Sequence, residues 1–345
     1  MHIQGQARGP KVWAKALLER LGYRIERLSQ DDIRYRRGGH DDSTPLPPGA
    51  EVELRPDNPR LVELKQRYAK VDSPVCAHTL WSVEMDDATL DLRWFRGDNA
   101  YVWQYRSVRE QARFKYYLYT QYLAGLDTRG LLGKTLTEDG AFGCFVFRHR
   151  ELPSTSRDLL DSVNELYFLD RNWNLFGRKG ARVLDIGAGY GRLAHRMLAA
   201  APGVERYWCI DAIPRSTFLC EWYLRHRGCL DRATVVPLDE METALSKGMV
   251  DLAMNIHSFS EMSYAAIEGW ISWLARLEVP ALLILPNDPQ RLQSLEADGS
   301  KRDIEGLLAL NGYHLKVRES TIRNADLREL MGIDEHFFLF TREKS

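Results

Sequence analysis

The chain has 345 residues, with 47 Lys plus Arg against 48 Asp plus Glu and a net charge of −1. So even a balance gives no long-range attraction to nucleic acid or to an acidic membrane surface. The longest apolar run, residues 279–285 with Pro280 inside it, is far too short to span a bilayer. The first residues, Met-His-Ile-Gln-Gly-Gln, lack the apolar stretch of a signal peptide. Cys76, Cys144, Cys209, Cys220 and Cys229 are odd in number and show no paired metal-ligand spacing. They read as reduced thiols of a cytoplasmic protein that engages neither nucleic acid nor membrane. The length allows two domains, and composition divides the chain into 1–155 and 156–345.

Residues 11–21 place Val12, Ala16, Leu17, Leu18 and Leu21 on one helical stripe behind Pro10. Residues 38–48 are a polar Gly/Pro-rich loop. A second helix is predicted over 58–70, after Pro56-Asp-Asn-Pro59. Then comes the densest aromatic stretch, from Trp94 to Tyr122, with amide and guanidinium side chains interleaved. Tyr101, Trp103, Gln104 and Arg106 are its candidate substrate-binding residues. Aromatic faces beside polar groups suit a sugar ring, which is apolar on its C–H face and polar at its rim. Aromatics at this density also serve as core and as contacts of a homodimer.

The second region opens on Arg182-Val-Leu-Asp-Ile-Gly-Ala-Gly-Tyr-Gly-Arg192. Residues 182–186 read as a buried strand with the carboxylate of Asp185 at its C-terminal end. Gly187, Gly189 and Gly191 form a turn into a helix over 193–199. Glycines at every second position permit positive φ and let a ligand lie against backbone. A dinucleotide fingerprint needs its third glycine three residues after the second. Here the step is two, from Gly189 to Gly191, which points away from NAD. The next apolar strand, 206–210, leads directly into Asp211. A carboxylate one strand-helix-strand crossover later can accept hydrogen bonds from the ribose diol of a nucleoside.

Strands and helices then alternate, as in a doubly wound sheet. A helix is predicted over 215–227, then strands over 234–237, 250–256 and 281–285. A helix over 303–310 stops at Asn311-Gly312. The last strands, 313–318 and 336–341, are expected as an antiparallel hairpin around a polar loop. Beyond the 250–256 strand lies Asn255-Ile-His-Ser-Phe-Ser-Glu-Met262. His257 is the candidate general base, because histidine is the usual choice at neutral pH. Glu261 follows by one helical turn, the spacing that sets a carboxylate beside an imidazole. Asp288 is the only further ligand on paper for a divalent metal, which leaves that ligand set incomplete and a metal disfavoured.

The glycine turn and the two acids resemble the first two motifs of the class I S-adenosylmethionine (SAM) methyltransferases. The resemblance covers about 161–342. It implies a Rossmann-like seven-stranded sheet with helices on both faces, preceded here by an N-terminal α+β substrate-binding or lid region. It implies SAM as cofactor and S-adenosyl-L-homocysteine (SAH) as product. Carried across residue by residue, it sets Gly187, Ala188, Gly189 and Gly191 against the methionine and ribose. Asp185 reaches the amino group and Asp211 the ribose. Ala212, Ile213, Leu238 and Asp239 flank the adenine, and Asn255 borders the sulfonium. Pro237 removes a backbone donor next to that adenine contact.

The His-Ser-Phe-Ser-Glu-Met run, Arg-Pro-Asp-Asn-Pro-Arg (55–60) and Phe-Arg-Gly-Asp-Asn-Ala-Tyr-Val-Trp-Gln-Tyr-Arg (95–106) narrow the likeness to sugar O-methyltransferases. That family implies a saccharide or other small-molecule acceptor in a biosynthetic cluster. Two other classes stay open: a methyltransferase of a small non-sugar acceptor, and a non-catalytic scaffold on the same fold. The intact glycines and both acids argue against the scaffold.

Overall fold

The computed structural model describes residues 39–76, 81, 90–99, 101–102, 109–288 and 291–342. Seven strands form one sheet: β1 (Ala181–Ile186), β2 (Val204–Ile210), β3 (Ala233–Val236), β4 (Leu252–His257), β5 (Ala281–Pro286), β6 (Tyr313–Ser320) and β7 (His336–Arg342). Their order is β3-β2-β1-β4-β5-β7-β6. The first five run parallel, and β7 lies antiparallel between β5 and β6. This is the sheet of the class I methyltransferases, with the hairpin expected at its end. The inner strands are apolar along their length because helices cover both faces. β5, Ala-Leu-Leu-Ile-Leu-Pro, is buried at every position. The edge strand β6 exposes much of one face.

The longer helices that surround the sheet or precede it among the described residues are α1 (Pro59–Tyr68), α2 (Arg109–Leu126), α3 (Arg157–Trp173), α4 (Arg192–Ala200), α5 (Pro214–His226), α6 (Tyr264–Arg276), α7 (Glu305–Leu310) and α8 (Ala325–Met331). Their starts follow from local chemistry. Asn58 accepts a hydrogen bond from Arg60 N, with Pro59 at the first helical position of α1. Ser156 and Ser263 cap α3 and α6 in the same way.

The segment between β6 and β7 departs from the predicted polar loop. It holds α8, capped by Asn324 and ended by Gly332 in the left-handed region, with Met331 buried. Before β1, the described residues form helices and isolated bridges such as Gly39–Asp98, but no strand. The helix expected over 11–21 lies outside the described residues.

One apolar core runs from the N-terminal helices through the sheet. Phe95, Tyr116 and Tyr119 of the aromatic stretch are buried in it. Phe95 packs among Phe142, Tyr190 and Tyr223, and Tyr116 stacks on Phe147. These three belong to the core, whereas Phe114 and Tyr117 of the same stretch are exposed. Beside this core sits a buried polar network. Arg96, wholly inaccessible to solvent, bonds Asp158 at 2.9 Å and Glu138 at 2.9 Å. Arg196 reaches the same Glu138 at 3.1 Å, and the Tyr190 hydroxyl donates to Asp158. The five cysteines are unbridged, and four of them are buried. Among the described residues no helix is long and apolar enough to cross a membrane.

Candidate functional site

β1 lies between β2 and β4, and the chain leaves it in opposite directions along the sheet. That is where open α/β sheets hold ligands, beyond the carboxyl ends of the strands. Asp185 sits in register with Cys209 and Met254, so β1, β2 and β4 end side by side. A cavity of 490 Å³ opens there. It is lined by Asp185, Gly187, Ala188 and Gly189 from the first turn, and by Asp211, Ala212 and Ile213 from the second. His257 and Glu261 line it beyond β4, and Tyr101 lines it from the N-terminal region.

The glycine turn does two jobs. Gly187 (φ 74°) and Gly189 (φ 57°) face the cavity, and a Cβ on Gly187 would stand 2.1 Å from Ser258 Oγ. Gly191 (φ 84°) does not line the cavity. A Cβ there would meet Cys220 Sγ at 2.9 Å, so this glycine lets α4 pack against α5. Asp211 clamps the turn from the neighbouring strand. It accepts from Gly189 N and from Ile213 N, each at 2.9 Å. Burial pushes its carboxyl up to about 7; the two N–H bonds oppose this, and the charges of Asp185 and Glu261 add to it. Burial likewise raises Asp185 to about 6, against a 2.9 Å hydrogen bond from the Tyr207 hydroxyl.

Four expected cofactor residues stand elsewhere. Gly191 is the packing residue just described. Leu238 is buried, and its N–H donates to the Tyr68 hydroxyl at 2.8 Å. Asp239 is paired with Arg67 at 2.8 Å. The segment after β3 is thus covered by α1, whose docking local sequence does not reveal. Asn255 is fully buried behind the cavity wall. Its amide donates to Ile186 O at 2.9 Å and Ser258 Oγ at 2.6 Å, and it accepts from Phe259 N. It shapes the corner after β4 rather than bordering the cavity.

His257 occupies that corner with φ 67° and ψ −36°, a backbone state that side chains with a Cβ rarely adopt. Such strain persists only where the surroundings impose it, and it concentrates at functional sites. Its Nδ1 is buried, with no hydrogen-bond partner among the described residues. Glu261 is not bonded to it. Ser258–Glu261 is a tight 3-10 turn, and His257 stands outside its helical backbone. The i, i+4 alignment of an α-helix therefore does not arise. Glu261 instead accepts from Trp81 Nε1 at 2.7 Å and Asn287 Nδ2 at 3.2 Å. Its burial raises the carboxyl pKa, opposed by the Trp81 bond, His257 and Asn287.

Tyr101 packs over Gly189 and bonds Ser216 Oγ at 2.8 Å. Trp103, Gln104 and Arg106 lie outside the described residues. Sequence reasoning missed Trp81, Ser216 and Asn287, and also Arg157, Asp161 and Glu335, all of which line the cavity. Arg157 and Asp161 are one helical turn apart and salt-bridged at 2.6 Å, a spacing legible in sequence. Nothing local brings Glu335 or Trp81 to them. Asp288 caps Arg291 N and faces Lys301 at 3.5 Å. Among the described residues no group of three His, Cys, Asp or Glu side chains is disposed to hold a metal ion.

No protein-family model matches the chain, and no curated protein matches it. Solved structures do. A SAM-dependent methyltransferase from Aquifex aeolicus is 15% identical, with TM-score 0.39, over 50% of this chain and 89% of its own. The [4+2]-cyclase SpnF is 14% identical, with TM-score 0.40, over 68% and 96%. Geranyl diphosphate C-methyltransferase from Streptomyces coelicolor A3(2), in complex with Mg2+, geranyl diphosphate and SAH, is 12% identical, with TM-score 0.36, over 52% and 79%. These are partial likenesses at low identity. The order and direction of the seven strands themselves assign the class I methyltransferase fold to this chain.

Proposed function

We propose that the chain is a SAM-dependent O-methyltransferase acting on a hydroxyl of a sugar or glycosylated intermediate. The observation that carries this reading is the convergence of the glycine turn, Asp185, Asp211 and His257 on one cavity at the switch point of the sheet. The residues fit such a cofactor. Gly187 and Gly189 present bare backbone to the cavity. Asp185 and Asp211 are carboxyls without a cationic partner among the described residues, suited to an amino group and a ribose diol. The cavity volume is in the range of small-molecule sites.

When bound, the cofactor supplies an electrophilic sulfonium methyl. The chain's own task is then to orient an acceptor hydroxyl and remove its proton. We assign that removal to His257, which lines the cavity at the strained corner after β4. Ser216, Asn287, Trp81 and Tyr101 offer hydrogen bonds and aromatic faces on the remaining wall, which supports a polyhydroxylated acceptor.

Calorimetry with SAM, SAH and NADH tests the cofactor: the first two bind and NADH does not. A screen of sugar acceptors by mass spectrometry tests the reaction. His257→Ala lowers kcat by about 10²–10⁴ while SAM affinity stays level. Full activity of that variant removes His257 as base and leaves methyl transfer standing.

A further inference from the structure

Resting on the methyltransferase reading, we propose that the cavity selects a cationic cofactor over its neutral product, with Glu261 as the discriminating residue. Among the described residues the guanidinium groups of the cavity wall are already matched. Arg157 is salt-bridged to Asp161 at 2.6 Å and lies 3.8 Å from Glu335. Arg192 makes bonds of 2.8 and 2.9 Å to Glu165. Asp158, also on the wall, is matched by Arg96 at 2.9 Å and Arg196 at 3.7 Å. Arg215 does not line the cavity; its guanidinium lies 5.5 Å from the Trp81 ring and 6.0 Å from the Tyr101 ring.

Three carboxyls are left over: Asp185, Asp211 and Glu261. Their hydrogen-bond partners are neutral: the Tyr207 hydroxyl, the N–H groups of Gly189 and Ile213, the Trp81 indole and the Asn287 amide. Among the described residues none of the three forms an ion pair within 4 Å, and Arg192, held by Glu165, only partly offsets the charge of Asp185 from further away. Gathered in one buried space, they repel one another: Asp185 and Glu261 both oppose ionisation of Asp211. Each positive charge brought into the cavity relieves that repulsion, and a ligand with one charge more relieves it further.

SAM and SAH share the amino acid and ribose that Asp185 and Asp211 would meet. They differ by the methyl and its positive charge. Glu261 lines the same cavity from the turn that follows His257, the residue assigned to the acceptor side, and not from the two turns that hold Asp185 and Asp211. Trp81 and Asn287 hold it there from outside the turn that carries it. His257, beside it, opposes the rise of the Glu261 carboxyl pKa that burial causes.

The test is titration calorimetry at pH 8 with SAM and SAH on the wild type and on Glu261→Gln. Wild type is expected to prefer SAM on the order of tenfold, the effect of one charge several ångströms away in a partly polar medium. Glu261→Gln loses about that factor for SAM and stays within about twofold for SAH. Should the variant not fold, the wild type decides alone: its preference shrinks from pH 8 to pH 6 as the cavity carboxyls take up protons and lose their negative charge. Equal binding of SAM and SAH by wild type, or equal weakening of both in the variant, overturns the proposal and leaves the methyltransferase reading intact. Binding of neither ligand overturns both.

Discussion

Asp211 is a buried carboxyl held by two backbone N–H groups, and this makes the stability of the protein proton-linked. Its ordinary pKa is about 3.9; folded, it is about 7. Between these values the native state keeps a proton that the unfolded chain has released. The contribution is therefore fully present below about pH 4 and lost as pH rises through 7. Asp185, at about 6, and Glu165, raised by burial to about 7, act in the same direction. His195 acts against them: burial lowers it to about 3, so its contribution is present above about pH 6.5 and lost in acid. Asp211→Asn isolates one group from the sum. The amide turns one acceptor into a donor, a cost that is similar at every pH. The slope is the diagnostic: Tm of the variant should fall less than that of wild type between pH 5 and pH 8. An unchanged slope refutes the assignment.

At the scale of elements, the three glycines of the turn are distinct. All have positive φ, so any Cβ costs about 1–2 kcal/mol from backbone strain. Gly189→Ala adds little more, since its Cβ would meet Tyr101 at an ordinary 3.4 Å. Gly191→Ala drives into Cys220 Sγ at 2.9 Å and Leu224 at 3.1 Å. It should lower stability by a further 1–3 kcal/mol or so through overpacking while SAM affinity of the folded fraction stays near wild type. Gly187→Ala displaces Ser258, and with it the Asn255 bridge and the His257 corner. That variant should lose SAM binding as well as stability. Melting curves beside calorimetry separate the three, and equal binding losses at Gly187 and Gly191 would contradict this division.

Across the whole molecule, the Arg96 network ties the N-terminal region to α3 and α4. Glu138 and Asp158 are completely buried, and both depend on Arg96 and Arg196 for charge compensation. A buried pair contributes little compared with an apolar pair, but removing one partner leaves the other uncompensated. Arg96→Met should therefore cost about 3–5 kcal/mol, read as a shifted urea midpoint. Adding Glu138→Gln should recover part of the loss, because it removes one stranded charge. A single variant with an unchanged midpoint would show that Arg196 alone suffices.

The sheet was legible because its code is local. Each central strand is a short apolar run, each crossover helix has its own stripe and caps, and the glycine turn announces itself by spacing. Asp185, Asp211 and His257 could be picked out for the same reason: each stands at the end of such a run. What sequence did not contain was the covering of those strand ends. Leu238 and Asp239 meet α1 because Tyr68 and Arg67 reach them across the fold, and no periodicity near Pro237 reports that. Glu261 turns to Trp81 and Asn287 because His257 leaves the strand at positive φ and a 3-10 turn follows; spacing alone implied an α-helical turn. Residues far apart in sequence, Trp81, Arg157 and Glu335, share a wall only once the core has closed around it. Local pattern determined the frame and the two acids beneath the cavity. Long-range packing decided which side chains enclose it and what charge it presents.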